Sequence, residues 1–408
     1  MPAQHPFAFG TALTIFGRRS ARKIPVWRRG FPFFLGKPRS AVERLRASGA
    51  SQPVSRGPRW KRLLAVGVMT VGWPLVTFGD ALRLAIKGGP ETPPFSKLYS
   101  AALRRNVPPN QYARYAELEA FQAAEISDFL LPLDLRALHS LSQAQGASAA
   151  DVQDKARFER ACKAHHLACV TTIATFSDGS ATGEAELRNW TAPFFVKALT
   201  GNRGAGAEQW TPAGRHFVSS SGRELSIGEI IEKLRPTNSI VQPVLEDCAE
   251  LRALGSVALS SLRLVTAKGP SIPATVIAAA LSLADKAQSL TSHSGSLCGI
   301  DFETGNVSAV QEYAEDREPL PIDPDNPLVG FELPYWPETL ALVRKAHNEA
   351  FPGFVTLGWD VALTPAGPLL LETNVSWNMA MHQTLTGPLG RTRLADVIDE
   401  LLGPAQAR

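Results

Sequence analysis

Apolar residues recur at helical spacing in the first part of this chain and gather into short runs in the rest. Between positions 111 and 141 they recur at three- to five-residue intervals, on one helical face: Tyr112, Tyr115, Leu118, Phe121 and Ile126. After position 150, β-branched runs alternate with helical stretches at 170–176, 194–197, 239–244, 260–266, 355–363 and 369–372. The pattern predicts one or two helices before residue 150, followed by an α+β or α/β fold whose sheets include hairpins.

A second apolar segment lies nearer the N-terminus. Positions 63–78 hold sixteen consecutive residues without a charge, directly after Trp60-Lys61-Arg62. A membrane-spanning helix needs about 20 residues, and this run is shorter and contains Gly67, Gly72 and Pro74. We therefore expect a buried helix here. The neighbouring basic residues keep an interfacial or re-entrant segment open as the alternative.

Charge divides the chain into a basic arm and a mildly acidic body. Positions 1–62 contain 14 Lys and Arg and a single acid, Glu43, whereas the remainder contains 28 basic and 37 acidic residues. The arm therefore carries +13 and the body −9, which together give the formal net charge of +4. Because the arm shows little periodicity, we predict that it is mostly irregular. Its partner is a lipid surface, an acidic protein or nucleic acid, or it is a solvated tail without a partner.

The composition of the arm bears on which binding partner it has. Nucleic acid is the least favoured partner, because the arm lacks interleaved aromatic residues and matches no nucleic-acid-binding module. Peripheral membrane contact through the arm stays open.

Targeting signals and cysteines bear on the compartment. The apolar positions 7–16 precede Arg18 and Arg19, which reverses the order of a secretory signal, and a mitochondrial transit peptide matches by composition only. The four cysteines form no CxxC pair, which favours a reducing compartment, so we expect a cytoplasmic protein.

The strongest local signal is a hairpin near the C-terminus. Two apolar runs flank Thr364-Pro-Ala-Gly-Pro368, which has the composition of a turn. A hairpin symmetric about Ala366 pairs Asp360 with Glu372, and directly opposed residues share a face of the sheet. Asn374 lies two residues beyond Glu372 and therefore faces the same way. The hairpin thus directs two carboxylates and one amide towards one point.

Opposed carboxylates repel each other, so the hairpin needs a neutralising group. Either a cation lies between Asp360 and Glu372, or one of the two is protonated. Oxygen ligands from Asp360, Glu372 and Asn374 suit Mg²⁺ or Mn²⁺, with substrate phosphates completing the coordination. The structural alternative is an exposed strand face that happens to carry acids.

A glycine-rich loop is a candidate for phosphate binding. Gly201, Gly204 and Gly206, with Arg203 among them, follow a short strand that contains Lys197. Glycine-rich backbone can approach phosphates closely, and a lysine nearby adds positive charge. The loop is neither a Walker A sequence nor a GxGxxG fingerprint, so an ordinary tight loop is the alternative.

Three other segments carry candidate ligands. Asp154-Lys155 opens a helical stretch, where the lysine can turn towards an anion. Ile240-Val-Gln-Pro243 is a strand that leads into a proline, as a hinge between subdomains does. Arg263 lies within an apolar strand and needs a partner there, which is either a phosphate or a buried carboxylate.

In this order, these residues resemble the ATP-grasp superfamily, and within it the sugar-transfer-associated ATP-grasp group, whose members are related to α-L-glutamate ligases. The resemblance covers about residues 150–385, and Gly358-Trp359-Asp360 and Glu372-x-Asn374 are its most specific parts. The matching elements along the chain are Asp154-Lys155, Phe195-Val196-Lys197 with the glycine-rich loop, Ile240-Val241-Gln242, Arg263, Asp360 and Glu372-Thr373-Asn374.

The resemblance implies an α+β ATP-grasp fold over residues 151–400, in which two α+β subdomains clamp ATP. Before it we expect the basic arm at 1–62 and a mainly helical region at 63–150, which does not resemble the compact α/β domain usual in this superfamily. The implied roles are Lys155, Lys197 and the glycine-rich loop at the ATP phosphates, Gln242 at the adenine-side hinge, Arg263 at the phosphates or acyl phosphate, and Asp360, Glu372 and Asn374 at Mg²⁺. Arg263 and Lys197 are the implied catalytic residues.

The resemblance also implies an activity. Family members activate a carboxylate as an acyl phosphate, which an amine or thiol then attacks, and phosphoryl transfer depends on positioning and charge neutralisation. We therefore expect an ATP- and Mg²⁺-dependent carboxylate–amine ligase that acts on small molecules, in polysaccharide or cell-envelope metabolism. The alternatives are an ATP-grasp phosphotransferase and a non-catalytic nucleotide-binding protein at the membrane surface. His293, in a Ser- and Gly-rich segment, and Arg203 are the candidate substrate-binding residues.

Overall fold

The computed structural model describes residues 28, 30–50, 58–89, 92–118, 125–199, 207–284, 294–314 and 322–403. The first five helices in this part of the chain are α1 Ala41–Ala50, α2 Arg59–Lys87, α3 Phe95–Arg105, α4 Pro109–Ala116 and α5 Pro132–Ala144. A short 3₁₀ helix at Ile126–Asp128 precedes α5. The prediction of one or two helices between residues 111 and 141 is confirmed for the described residues, where α4 and α5 lie. The predicted apolar face is not one helix, because α4 ends at Ala116, before Leu118, and Ile126 belongs to the 3₁₀ helix. Phe121 lies outside the described residues.

Helix α1 is a regular element within the basic arm, which was predicted to be mostly irregular. More than half of positions 1–62 lie outside the described residues, so that prediction stays a prediction. Val42 and Leu45 lie one helical turn apart and are fully buried, and they pack with α5 against one side of a sheet. The Arg46 side chain is also buried and binds the Asp134 carboxylate through Nε and Nη2, at 3.1 and 2.8 Å. The sequence pattern missed this helix because its charged residues are neutralised by partners far away in the chain.

Helix α2 corrects the prediction of a buried helix over the uncharged run. It is 29 residues long and continues through Pro74. Only a narrow stripe is buried, and the Trp73 indole within it donates a hydrogen bond to the Ala102 carbonyl oxygen at 2.9 Å. Most of its large apolar side chains are exposed, for example Leu63 at 72% and Leu75 at 68%. By length and composition alone, this helix could cross a membrane.

A seven-stranded antiparallel sheet follows two short helices. The elements in chain order are α6 Ala150–Gln153, α7 Lys155–Ala164, β1 Ala174–Ser177, β2 Ser180–Thr182, α8 Glu184–Arg188, β3 Phe194–Ala198, β4 Glu208–Ala213, β5 His216–Ser219, β6 Glu224–Leu225, α9 Ile227–Leu234 and β7 Ser239–Pro243. The strand order is β2-β1-β7-β3-β4-β5-β6. One face of this sheet packs into an apolar core that includes Phe194, Val196 and Val241, with Leu187 of α8 and Ile231 of α9.

A six-stranded antiparallel sheet forms the second layer of the fold. The elements in chain order are α10 Ala249–Ala253, β8 Ser261–Ala267, β9 Thr275–Leu283, β10 Ser294–Ile300, β11 Val307–Ala314, α11 Trp336–Lys345, a π-helical turn Ala346–Ala350, β12 Thr356–Thr364, β13 Gly367–Asn374, α12 Met379–Thr386, a 3₁₀ turn Leu389–Arg391 and α13 Leu394–Leu402. The strand order is β11-β10-β9-β8-β12-β13. Its largest core includes Leu264 and Trp359 of the sheet and Phe158 of α7.

The predicted α+β class is confirmed, because both sheets are antiparallel and carry helices on their faces. Each of the six predicted strand runs overlaps a strand, although β1 begins only at Ala174. The segment before β1 joins the two sheets, since Val170 donates a backbone hydrogen bond to Leu370 of β13 and Leu370 donates one to Ala168. This contact brings the first sheet to the edge of the second sheet where the hairpin lies.

Candidate nucleotide and metal site

The β12–β13 hairpin places Asp360 directly opposite Glu372, as predicted. The symmetric turn that led to this prediction is wrong, however. Thr364 pairs with Gly367, so the turn has two central residues and is not centred on Ala366. Gly367 has a φ of +107°, a backbone angle that other residues rarely adopt.

A β-bulge restores the pairing that the shorter turn would otherwise have shifted. Near the turn, Val361 pairs with Leu370, and the register changes between Asp360 and Val361. Leu371 is the extra residue on β13, so Glu372 returns to the position opposite Asp360. Bulges commonly redirect side chains beside functional sites, and this bulge puts both carboxylates on one face.

Arg263 extends the row of charged residues across a third strand. It pairs with Asp360 across β8 and β12, and its Nε lies 3.4 Å from the Asp360 Oδ1. That Nε atom is buried and has no hydrogen-bond partner among the residues that the structure describes. Of the two partners expected for Arg263, the carboxylate is therefore present, but the guanidinium group retains hydrogen-bonding capacity for an anion.

Glu372 contacts two of the other predicted ligands. The Asn374 side-chain amide donates to the Glu372 Oε1 at 3.3 Å, and the Lys155 Nζ lies 3.9 Å from the Glu372 Oε2. Lys155 is the first residue of α7, and the Asp154 carboxylate caps this helix by accepting hydrogen bonds from two backbone N–H groups. A small pocket lies here, lined by Val152, Gln153, Lys155, Phe158, Glu372, Thr373 and Asn374.

Lys197 reaches the same site from the other sheet. Burial lowers the pKa of Lys197, the charge of Glu372 opposes this shift, and the charge of Lys155 adds to it. The three side chains are thus close enough to influence one another. The Lys197 Nζ also lies 5.4 Å from the centre of the Phe195 ring, within cation–π range.

Gln242 lies on the same face of the first sheet as Lys197. In the β3–β7 ladder, Phe195 pairs with Gln242 and Lys197 pairs with Ile240, and opposed residues share a face. Gln242 is buried, at 5% exposed. The opposite face of these strands fills the apolar core, so the Lys197 face is the one that is turned towards the pocket.

The electrostatics of the carboxylate pair favour a bound cation. Burial raises the pKa of Asp360 to about 6, with Arg263 opposing this shift and Glu372 contributing to it. Two carboxylates so close together remain ionised more readily when a cation binds between them. The oxygen donors of Asp360, Glu372 and Asn374 are of the type that Mg²⁺ takes, so the residues fit a magnesium ion accompanied by phosphates.

Some of the predicted ligands lie outside the described residues. These are Gly201, Gly204, Gly206 and Arg203 of the glycine-rich loop, and His293 of the Ser- and Gly-rich segment. Their roles in phosphate and substrate binding therefore stay predictions.

Packing around Asp360 explains the Gly-Trp-Asp sequence. A Cβ atom on Gly358 would lie 2.6 Å from the Cβ of Trp377, so only glycine lets this tryptophan pack on the strand beside Asp360. Trp359 faces the opposite side and donates a hydrogen bond from its indole to the Thr266 Oγ1 at 2.7 Å. Both tryptophans are buried, and they pack into the apolar cores on opposite faces of the strand.

The sequence analysis did not identify His382 of α12. Its side chain is 2% exposed, and its Nδ1 lacks a hydrogen-bond partner within the described part of the chain. Burial, together with the positive charge of Arg263, lowers the pKa of His382 to about 3, so the imidazole is neutral. The only signal in the sequence is its position shortly after Glu372-x-Asn374.

Comparisons with known proteins place this arrangement in a family. No curated protein matches the chain. Similar solved structures include N5-carboxyaminoimidazole synthase from Aspergillus clavatus, with 10% identity over 68% of this chain and 58% of that chain and a TM-score of 0.34. An L-amino acid ligase from Bacillus licheniformis shows 11% identity over 72% of this chain and 60% of that one, with a TM-score of 0.36.

A third similar structure is D-alanyl-alanine synthetase A from Vibrio cholerae, with 10% identity over 62% of this chain and 65% of that chain and a TM-score of 0.37. The chain thus spans less than two thirds of the length of these proteins. Likenesses this distant do not indicate a shared substrate or reaction.

A family model described as sugar-transfer associated ATP-grasp matches residues 140–398. The matched segment is more than half of the chain and contains every residue of the site described above. It begins within α5 and ends within α13, and it therefore includes both antiparallel sheets. The chain belongs to the sugar-transfer associated ATP-grasp family.

Proposed function

We propose that this protein is an ATP- and Mg²⁺-dependent ligase that joins a small-molecule carboxylate to an amine. The observation that carries the proposal is the opposed pair Asp360 and Glu372, which three cationic side chains approach from two sheets and a helix. A site of this composition can hold a metal–triphosphate complex, because its carboxylates bind the cation and its cations face the phosphates.

Each side chain has a distinct task in the proposed site. Asp360, Glu372 and Asn374 would hold the magnesium ion. Lys155 and Lys197 would neutralise the phosphate oxygens, which lowers the repulsion between ATP and an incoming carboxylate. The Arg263 guanidinium would stabilise negative charge on the transferred phosphoryl group.

The proposed reaction has two steps. Bound ATP supplies a γ-phosphoryl group: the substrate carboxylate oxygen forms a bond to the γ-phosphorus, and the bond to the β–γ bridging oxygen breaks to release ADP. The amine nitrogen then attacks the carbonyl carbon of the acyl phosphate, phosphate leaves, and the nitrogen loses a proton. The association of the family with sugar transfer supports a substrate from polysaccharide or cell-envelope metabolism, and we place the reaction in the cytoplasm.

Trapping of the activated acid tests this proposal. The protein is incubated with Mg-ATP, hydroxylamine and a panel of amino acids, sugar acids and dicarboxylates, and ADP and hydroxamate are measured together. The proposal predicts equal amounts of ADP and hydroxamate with at least one acid, and a loss of both in Asp360→Asn. ADP formation with a phosphorylated hydroxyl product would instead indicate a phosphotransferase. Absence of nucleotide binding under every metal condition would overturn the enzyme assignment.

A further inference from the structure

Helix α2 concentrates exposed apolar surface in one place. Of the fourteen large apolar residues that are exposed in the described part of the chain, ten lie on this one helix. Six of them follow one another at intervals of three or four residues: Val68, Val71, Leu75, Phe78, Leu82 and Ile86. Phe78 lies at the edge of this stripe, where its ring also contacts Phe95 and Tyr99 of α3. Residues at this spacing form a continuous stripe along one face of a helix. Patches of this kind mark contact sites for other molecules.

The opposite face of α2 is already occupied by the protein itself. Met69, Trp73, Thr77 and Ala81 are buried at four-residue intervals, and Trp73 and Ala81 among them pack against α3 and α4. At about 100° per residue, this buried stripe lies roughly opposite the exposed one. The helix is therefore held sideways on the body, with its apolar stripe turned outwards.

Charged and aromatic residues flank the apolar stretch. Residues 63–79 contain no charge, whereas Arg59, Lys61 and Arg62 precede them and Asp80, Arg83 and Lys87 follow. Asp80 is paired with Arg28 at 3.4 Å, so basic residues prevail at both ends. Trp60 lies at the start of the helix, 61% exposed, with the Lys61 Nζ 5.3 Å from its ring centre. Basic residues at the ends, with tryptophan beside them, are typical of helices that lie at the surface of anionic membranes.

We propose that α2 docks on an anionic lipid surface, with its axis in the plane of the membrane and its outward stripe in the boundary between headgroups and acyl chains. A helix that crossed the bilayer would carry α3 with it, and the exposed Lys97 and Arg104 of α3 would enter the hydrocarbon at high cost. A second copy fits less well, because both ends of α2 carry a net positive charge, even with Asp80 counted, and would repel their counterparts in either orientation. The proposal is independent of the ligase reaction.

Vesicle flotation with the full chain tests the docking. The protein is mixed with phosphatidylcholine vesicles with or without phosphatidylserine, and the bound fraction is measured over a salt series. We expect binding to the anionic vesicles, weaker binding at high salt, and at least about a tenfold loss in the double variant Val71→Glu/Leu75→Glu, which puts charges into the apolar stripe. Val257→Glu/Val329→Glu is the matched control, since it alters exposed valines outside α2 and should bind as the wild type does.

Each other outcome overturns the proposal in a defined way. No binding of the wild type to anionic vesicles rejects it outright. Binding that survives Val71→Glu/Leu75→Glu but is lost in Arg59→Glu/Lys61→Glu assigns the contact to basic residues alone. Binding that resists alkaline carbonate and needs detergent for release indicates a spanning helix. A dimer in sedimentation velocity that Val71→Glu/Leu75→Glu dissociates identifies a second copy as the occupant. Circular dichroism and Mg-ATP binding of the variants show that the fold and the nucleotide site remain intact.

Discussion

The β12–β13 hairpin and helix α2 depart from the usual distribution of polar and apolar residues in opposite directions. The hairpin holds two partly buried carboxylates, one on the largely buried strand β12 and one on the partly buried strand β13, whereas α2 turns large apolar side chains outwards. Buried polar groups and exposed apolar patches are the informative exceptions in a folded protein. Each costs free energy unless a group outside the chain compensates for it. A cation with phosphates would do so at the hairpin, and a lipid surface would do so at α2.

Helix α1 provides a contrast, because its buried charges are neutralised by other residues of the same chain. Glu43 and Arg46 are 1% and 4% exposed, as deeply buried as core residues. Arg46 binds Asp134, and Glu43 binds Arg105. Since these charges are paired within the chain, they indicate a structural role, although Glu43 Oε1 and Arg46 Nη1 lack a hydrogen-bond partner among the described residues. The hairpin and α2 therefore differ from α1 in that the group that compensates the exposed or buried side chains would lie outside the chain. Variants at each of these places test this difference.

The largest expected effect is on the free energy of unfolding, and it is expected where the buried charges of α1 pair with other residues of the chain. Arg46→Ala leaves the Asp134 carboxylate buried without its cation, and we expect the free energy of unfolding to fall by about 3–5 kcal/mol. Urea denaturation measures the loss. Arg157→Ala is the control, because its ion pair with Asp151 has both side chains about half exposed and should contribute less than about 1 kcal/mol. A loss as small as the control's would show that this pair does not hold α1 in place.

The next largest effect is on the Mg²⁺-dependent affinity for ATP, and it is expected at the carboxylates of the hairpin. Glu372→Gln removes one of the two opposed carboxylates, so we expect Mg²⁺ to lose its enhancement of ATP affinity, by about 100-fold or about 2.7 kcal/mol. Calorimetric titration of ATP with and without Mg²⁺ measures this. Lys197→Met should instead weaken ATP binding under both conditions, because it removes a charge that faces the phosphates.

The control for the hairpin is Glu303→Gln, which alters an exposed carboxylate and should retain the full effect of Mg²⁺. Glu372→Gln that retained the same effect would contradict the metal assignment. The hairpin would then resemble α1, with carboxylates neutralised only by Arg263 and Lys155.

A smaller effect follows from the raised pKa of Asp360. Its folded-state pKa is about 6 against an ordinary value of 3.8, so the folded protein binds this proton more tightly than the unfolded chain does. The ionised carboxylate therefore destabilises the metal-free protein above that pKa, and the penalty disappears as the pH falls towards the unfolded value. Asp360→Asn should raise the free energy of unfolding near neutral pH, by about 2 kcal/mol.

Urea denaturation at neutral and mildly acidic pH, with a chelator present, measures this difference. The advantage of Asp360→Asn over the wild type should shrink as the pH falls below about 6. An advantage that stayed constant with pH would show that removal of the charge is not its cause. A variant less stable than the wild type at neutral pH would show that the chain already compensates the carboxylate, chiefly through Arg263.

Local patterns predicted the hairpin site and six of the thirteen strands in the described residues. The pairing of Asp360 with Glu372 depends on fewer than fifteen residues of sequence. The turn was predicted one residue too long, but the bulge at Leu371 shifts the register back, so the predicted pairing is still correct. Lys155, Lys197 and Arg263 were found because each is a charged residue at a distinctive position, and the structure brings all three to the hairpin.

Long-range packing was not predictable in the same way. The partner of Arg46 lies 88 positions away, so a count of charges in the arm suggested an irregular tail. The contact between Gly358 and Trp377, and the burial of His382, depend on how α12 lies over the second sheet. For α2, its apolar composition predicted burial, but composition does not reveal that α3 and α4 cover only one of its faces.

The smallest expected effect tests that last point within a single helix. Leu75→Gln alters a side chain that is 68% exposed, so in lipid-free buffer we expect the free energy of unfolding to change by less than about 0.5 kcal/mol. Met69→Ala, at a position 3% exposed on the same helix, should cost about 2 kcal/mol or more. Thermal or urea denaturation of the two variants gives the comparison directly. If Leu75→Gln destabilised the protein as much as Met69→Ala, the outward stripe would already be covered by the protein or a second copy, and α2 would be a core helix like α1.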